Sequence, residues 1–156
     1  MEHLPLYIPV IFVFTTLLTL ALLYKASNYS KPLIITLLLW LALQAAVGLS
    51  GFYIISTGMP PRFALLLVPP VLLILILIFT KRGLAFINGF DAKTLTLVHM
   101  VRIPVEITLY WLFLHKAVPQ VMTFEGRNFD ILCGLTAPLV YYWGYLNHIS
   151  VYLATR

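Results

Sequence analysis

The chain has 156 residues, of which 62% are hydrophobic and 10% charged, with mean hydropathy +0.98 and a formal net charge of +5. Ordinary soluble domains carry about 25% charged residues, so this composition argues against a soluble globule, and the lack of segments alternating in polarity argues against a transmembrane β-barrel. The basic residues sit mainly in short turns between apolar runs, a topological rather than nucleic-acid-binding placement, and one cysteine, Cys133, leaves no internal disulfide or CxxC centre.

The opening MEHLPLYIPV lacks the basic region of a signal peptide, and its apolar run is read as a retained first helix over about 4–24. Pro5 and Pro9 fall in its first turns, where helical N–H groups lack partners anyway. A short basic turn, KASNYSK, leads to Pro32 and a second helix over 32–55. Ala42, Ala46 and Ser50 recur four apart on it, with Gln44, Gly48 and Gly51 on a neighbouring strip, a spacing that lets helices approach closely in lipid. Gln44 is expected to make one interhelical hydrogen bond.

The turn STGMPPR precedes a third helix over 63–80, which Pro69-Pro70 should bend or break because two backbone donors are missing. GLAFINGFDAK is apolar but short, and is expected to lie at the interface, with Asp91 capping the next helix. That fourth helix, over 94–115, carries His99, Arg102, Glu106 and Tyr110. At about 100° per residue these four fall within roughly 80° of one another, and such a face should look inward, at protein or water. Arg102 and Glu106, four apart, can pair, although with Arg first the orientation is the weaker one. Pro104 leaves the Met100 carbonyl without its donor, so a kink is expected there.

A polar loop, KAVPQVMTFEGRNFD, leads to a fifth helix over 131–153. Its Glu125, Arg127, Asn128 and Asp130 are either a cap and local ion pairs or a site on the outer face. On the fifth helix Tyr141, Tyr145, His148 and Tyr152 lie within roughly 60° of each other. Counting about 1.5 Å per residue along two antiparallel helices sets His99 level with His148, Arg102 with Tyr145 and Glu106 with Tyr141. The two stripes are therefore expected to face each other across one polar interior. No nucleophile–His arrangement, P-loop or HExxH pattern specifies a reaction.

The fold expected is an all-α integral membrane bundle of about five transmembrane helices in a single domain, 1–156. Lys25, Lys31, Lys81, Arg82, Lys93 and Arg156 against Arg62, Lys116 and Arg127 place the N-terminus outside and the C-terminus inside. The chain stops at Arg156 just after a span, which leaves room for further helices in a longer product. A bundle this thin is expected to assemble as a homo-oligomer or with a partner membrane subunit in the lipid bilayer. The wording VRIPVEITLYWLFL…VPQVMTFEGRNFDILCGLTAPL, over 101–139, resembles uncharacterised small multi-pass membrane proteins of bacteria, and places the chain in a bacterial inner (cytoplasmic) membrane. The resemblance implies no activity and no residue role.

Three functions fit these residues. In the first the polar interior moves protons, ions or a small solute, with Glu106 titrating, Arg102 as its charge partner and His99 and His148 continuing the path. In the second the chain is a membrane-embedded enzyme or redox protein for a lipid, quinone or haem, His99 and His148 serving as axial haem ligands; a metal centre of four convergent ligands is not found. In the third it is a non-catalytic assembly subunit, and the polar network merely locks helices together.

Overall fold

The computed structural model describes residues 4–54, 62 and 64–146, and all the regular structure among them is helical. Three stretches are long and apolar enough to cross a membrane: Tyr7–Ala26, Lys31–Leu49 and Ala92–Leu114. A fourth is counted if Ala64–Phe79 and Lys81–Asn88, bent by 95°, form one span. The chain divides into two compact units, residues 1–26 with 91–156, and residues 27–90.

In the first unit α1 (Tyr7–Ala26) packs along α5 (Ala92–Val98) and α6 (Arg102–Leu114). The Asp91 N–H donates to the last carbonyl of α1, Ala26, at 2.7 Å, fixing where α5 begins. Asp91 caps α5 as expected, its carboxylate accepting from the Lys93 and Thr94 N–H groups and from the Thr94 hydroxyl at 2.5 Å. Between α5 and α6 the backbone tightens into a 3-10 turn, His99–Val101. Pro104 has no N–H for the Met100 carbonyl, and the tighter turn lets the Arg102 N–H reach the His99 and Met100 carbonyls instead. The expected kink is thus a local change of helix type within one stretch, Ala92–Leu114.

α6 ends in a Schellman motif on a left-handed Lys116, φ 57°. The Lys116 N–H donates to Phe113 and the Ala117 N–H to Leu112. α7 (Asp130–Tyr141) packs on α5, the 3-10 turn and α6, then continues as a π-helical turn, Tyr142–Leu146, after Pro138. The rest of the expected fifth helix, His148 and Tyr152 included, lies outside the described residues. α7 lies close to the preceding helices at Gly134: a Cβ there would stand 2.8 Å from Ile103 Cγ1, 3.2 Å from the Ile103 nitrogen and 3.3 Å from the His99 carbonyl. Only a glycine lets α7 approach this closely.

The second unit holds α2 (Lys31–Leu49), α3 (Ala64–Phe79) and α4 (Lys81–Asn88). α2 ends earlier than the sequence suggests. Gly51 takes φ 73°, a left-handed conformation open to glycine, and a 3-10 turn, Phe52–Ile54, follows. Gln44 accepts from the Tyr53 hydroxyl at 2.5 Å, so its partner lies just past its own helix rather than across to another. α3 runs unbroken through Pro69 and Pro70; its break comes at Thr80, whose side chain accepts from the Gly83 N–H to start α4. A Cβ on Gly83 would overlap the Leu77 backbone, which is why the 95° corner carries a glycine there. Arg62 stacks 4.8 Å over the Phe52 ring between the end of α2 and the start of α3, while Asn28 Nδ2 donates to the Gly89 carbonyl at 2.7 Å and ties the start of α2 to the end of α4. No residue of α2 or α3 is buried. Between them lies an apolar cavity of about 300 Å³ lined by Thr36, Leu37, Trp40, Pro69, Pro70 and Leu73.

Candidate functional site

After α6 the chain turns through a 3-10 segment, Gln120–Met122, and runs back down the same helix. Three contacts in steps fix this return. The Phe124 ring lies 5.1 Å from Tyr110, Asn128 meets Glu106, and Asp130 meets Arg102. The turn is set by Thr123, fully buried, whose carbonyl accepts from the Gly126 N–H at 2.9 Å and the Asn128 N–H at 3.4 Å. Gly126 lies against the Gln120 and Val121 backbone, where any Cβ would collide.

Glu106 is the centre of the site. Its residue is 2% exposed, the least of any charged residue described, and it sits among the turns of α6 that the returning segment covers. Asn128 Nδ2 donates to Glu106 Oε1 at 2.6 Å. The same amide nitrogen donates to the Met122 carbonyl at 3.1 Å, and Asn128 Oδ1 accepts from the Asp130 N–H at 3.3 Å. Both donors of the Asn128 amide and one side of its oxygen are thereby used, which holds the side chain in one orientation. Glu106 Oε2 is buried and takes no hydrogen bond from the described residues. A buried carboxyl oxygen in that position is matched by a proton, a cation, an ordered water or a donor group of a bound solute.

Arg102 pairs with Asp130, not with Glu106 one turn further on. The physical reason is geometric: an Arg-to-Glu step of four is the poorer orientation, and the returning segment delivers a carboxylate to the guanidinium directly. Glu106, Asn128, Asp130 and Arg102 therefore form a closed ring joining two successive turns of α6 to the start of α7. Asn128 also satisfies the first N–H of α7, although the cap residue itself is Phe129, and Asp130 stands in the first turn at the positive end of that helix.

The tyrosine register differs from the one counted along ideal helices. With Asp130 at Arg102 and Gly134 at His99 and Ile103, each further residue of α7 moves about 1.5 Å toward the α5 end. Arg102 thus lies level with the start of α7 rather than with Tyr145, and Glu106 with Asn128 rather than with Tyr141. The reason is that the loop expected to stay at the outer face folds back along α6, so α7 starts several turns lower. Tyr141 and Tyr145 pack on each other, ring centres 6.2 Å apart. Tyr110 packs between Phe113 and Phe124. The His99 side chain is exposed, its carbonyl turned to Gly134, and His148 lies outside the described residues. Glu125 and Arg127 are exposed on the returning segment and make no ion pair among the described residues. Likewise, no group of three or more His, Cys, Asp or Glu able to hold a metal occurs among the described residues. No protein-family model, curated protein or solved structure matches the chain.

Sequence reasoning placed Arg102, Glu106, Asn128 and Asp130 in two separate sites. The signal that joins them is spacing: Asn128, just before α7, and Asp130, its first residue, reach positions 106 and 102, one helical turn apart.

Proposed function

We propose that the chain is a multi-pass helical membrane protein, N-terminus outside, whose polar interior around Glu106 moves protons, ions or a small solute. The observation that carries this reading is the buried Glu106 carboxyl, one oxygen held by Asn128 and the other without a partner among the described residues. The backbone beside it supports the same reading. If Ala92–Leu114 spans a bilayer, the irregular segment 123–129 lies at membrane depth, and irregular backbone survives there only when buried in protein or lining a watery cavity. Intramembrane ionisable residues that are retained against an insertion cost of about 2.5–3.5 kcal/mol mark ion and proton paths.

In this mechanism Glu106 Oε2 is the atom that takes and releases the proton or cation. Asn128 keeps Oε1 as a fixed acceptor in either state, because an amide N–H suits both a carboxylate oxygen and a carbonyl oxygen. Arg102, neutralised by Asp130, supplies the polar wall one turn below. The uncovered faces of α2 and α3 suit assembly with a second copy or a partner membrane subunit. The natural place for this topology is a bacterial inner membrane.

The test is flux into proteoliposomes under imposed proton, Na⁺ and K⁺ gradients, for the native chain and Glu106→Gln. Flux in the native chain whose pH dependence is lost in Glu106→Gln supports the reading. Equal flux and equal pH dependence in both overturn it.

A further inference from the structure

Residues 27–90 hold four basic residues, Lys31, Arg62, Lys81 and Arg82, and neither an Asp nor a Glu. Three of the four collect at one end of the α2–α3 hairpin. The Arg62–Phe52 stack lies at the far end, and at the near end the Asn28–Gly89 hydrogen bond ties the start of α2 to the end of α4. Because Thr36 and Leu73 line one cavity, Lys31 at the start of α2 and Lys81-Arg82 at the corner between α3 and α4 stand at the same end, separated by the length of α4, about 12 Å, and all three side chains are exposed. α4 leaves that corner at 95° to α3 and exposes Leu84 and Ile87 beside its two cations. A short helix with this division of character lies in the plane of a bilayer surface.

The apolar cavity of about 300 Å³ lies further along α2 and α3 from this end. Its lining begins five residues after Lys31, at Thr36, and eight residues before Lys81, at Leu73, or roughly 8–12 Å along the helix axes. Pro69 and Pro70 have no N–H for the Leu65 and Leu66 carbonyls and set the wall opposite Trp40. A cation cluster at the surface above a narrow apolar slot matches one ligand chemistry: an anionic headgroup joined to a hydrocarbon chain. A free phosphate has nothing to place in the slot, and a neutral lipid has no use for three cations that make no ion pair among the described residues.

We propose that the α2–α3 hairpin binds an anionic phospholipid, its phosphate held by Lys31, Lys81 and Arg82 and one acyl chain lying beside Trp40. This rests on the membrane reading but not on transport through Glu106. Basic residues at a membrane surface each contribute about fivefold to anionic-lipid affinity, so neutralising all three should lower it on the order of 100-fold.

The experiment uses the full chain with Trp111→Phe and Trp143→Phe, which leaves Trp40 as the single indole. It is reconstituted in phosphatidylcholine vesicles doped with chain-brominated phosphatidylglycerol or chain-brominated phosphatidylcholine, and Trp40 quenching is read against lipid fraction. The expected result is quenching at a much lower fraction of the brominated phosphatidylglycerol, with the preference abolished in Lys31→Gln/Lys81→Gln/Arg82→Gln. Equal quenching by both lipids, or a preference untouched by the triple substitution, overturns the proposal. Quenching that falls as protein density rises, whatever the lipid, shows the slot to be an interface between copies and overturns it too. Vesicle flotation separates the failures: a chain that does not float sinks the membrane reading as well, and one that floats without lipid preference sinks this inference alone.

Discussion

Replacing Asn128 with alanine removes three interactions at once. They are the 2.6 Å bond to Glu106 Oε1, the 3.1 Å bond to the Met122 carbonyl and the 3.3 Å bond from the Asp130 N–H. Intramolecular hydrogen bonds each contribute about 0.5–1.5 kcal/mol net, and a buried group left without a partner costs about 1–3 kcal/mol. Asn128→Ala should therefore cost about 2–4 kcal/mol in total. Pairing between Asn128 and Glu106 is isolated by a double-mutant cycle with Glu106→Ala. Polar pairs between membrane helices average about 0.6 kcal/mol, and bonds to charged groups reach about 1.5–3 kcal/mol, so a coupling of about 1–2 kcal/mol is expected here. The assay is reversible unfolding in mixed micelles by increasing SDS fraction, followed by helical circular dichroism. Strictly additive effects, with coupling below about 0.3 kcal/mol, would show that the return of 120–130 along α6 is not held at Glu106, and the reasoning from that contact would fail.

Asp91→Ala should cost about 1 kcal/mol through loss of the α5 cap. Hydrogen bonds from the Thr94 hydroxyl above all, and from the Thr94 and Lys93 N–H groups, hold the Asp91 carboxyl below its usual range. The folded-state value is thus depressed, so this contribution is complete above the unfolded value near ~4 and is lost as pH falls through the folded one. Asp91→Asn should keep most of the cap while flattening that acid limb in unfolding scans from pH 6 downward (about 6 to about 2). Gly134→Ala should cost about 1–3 kcal/mol by pressing on Ile103 and the His99 carbonyl, with Ile103→Ala recovering part of it; equal stability of Gly134→Ala and the native chain would mean that α7 stands further off. Gly126→Ala should loosen the returning segment, read as faster amide exchange at Asn128 and Phe129, because a Cβ there meets backbone rather than a movable side chain.

The helices were legible because long apolar runs and their punctuation are local properties. α1, α2, α3 and the stretch through α5 and α6 fall close to their expected places, and the Asp91 cap is where Asp-Ala-Lys-Thr predicts it. Local chemistry also explains the misjudged ends. Gly51 looked like one more small residue on a helical strip, yet its φ of 73° stops α2 early. Pro69-Pro70 looked like a break, but both fall in the second turn of α3, which continues through them, and the break comes instead where Thr80 can cap and Gly83 can fit. The site was half legible. Arg102, Glu106 and Tyr110 share a face by spacing alone, whereas their partners arrive from a segment that has no periodicity. Helical counting assumed a loop that stays at the end of its helices, and so slid the tyrosines of α7 to a level that Asn128 and Asp130 occupy.

The central claim is that the Glu106 carboxyl, enclosed by α6 and the returning segment, changes protonation as the protein works. Infrared difference spectroscopy of the reconstituted chain, recorded on a pH step in H₂O and in D₂O, reads this group directly. A carboxyl carbonyl band that shifts in D₂O, persists in Asp130→Asn and Glu125→Gln, and disappears in Glu106→Gln is the expected result. A difference spectrum identical in the native chain and Glu106→Gln would contradict the account.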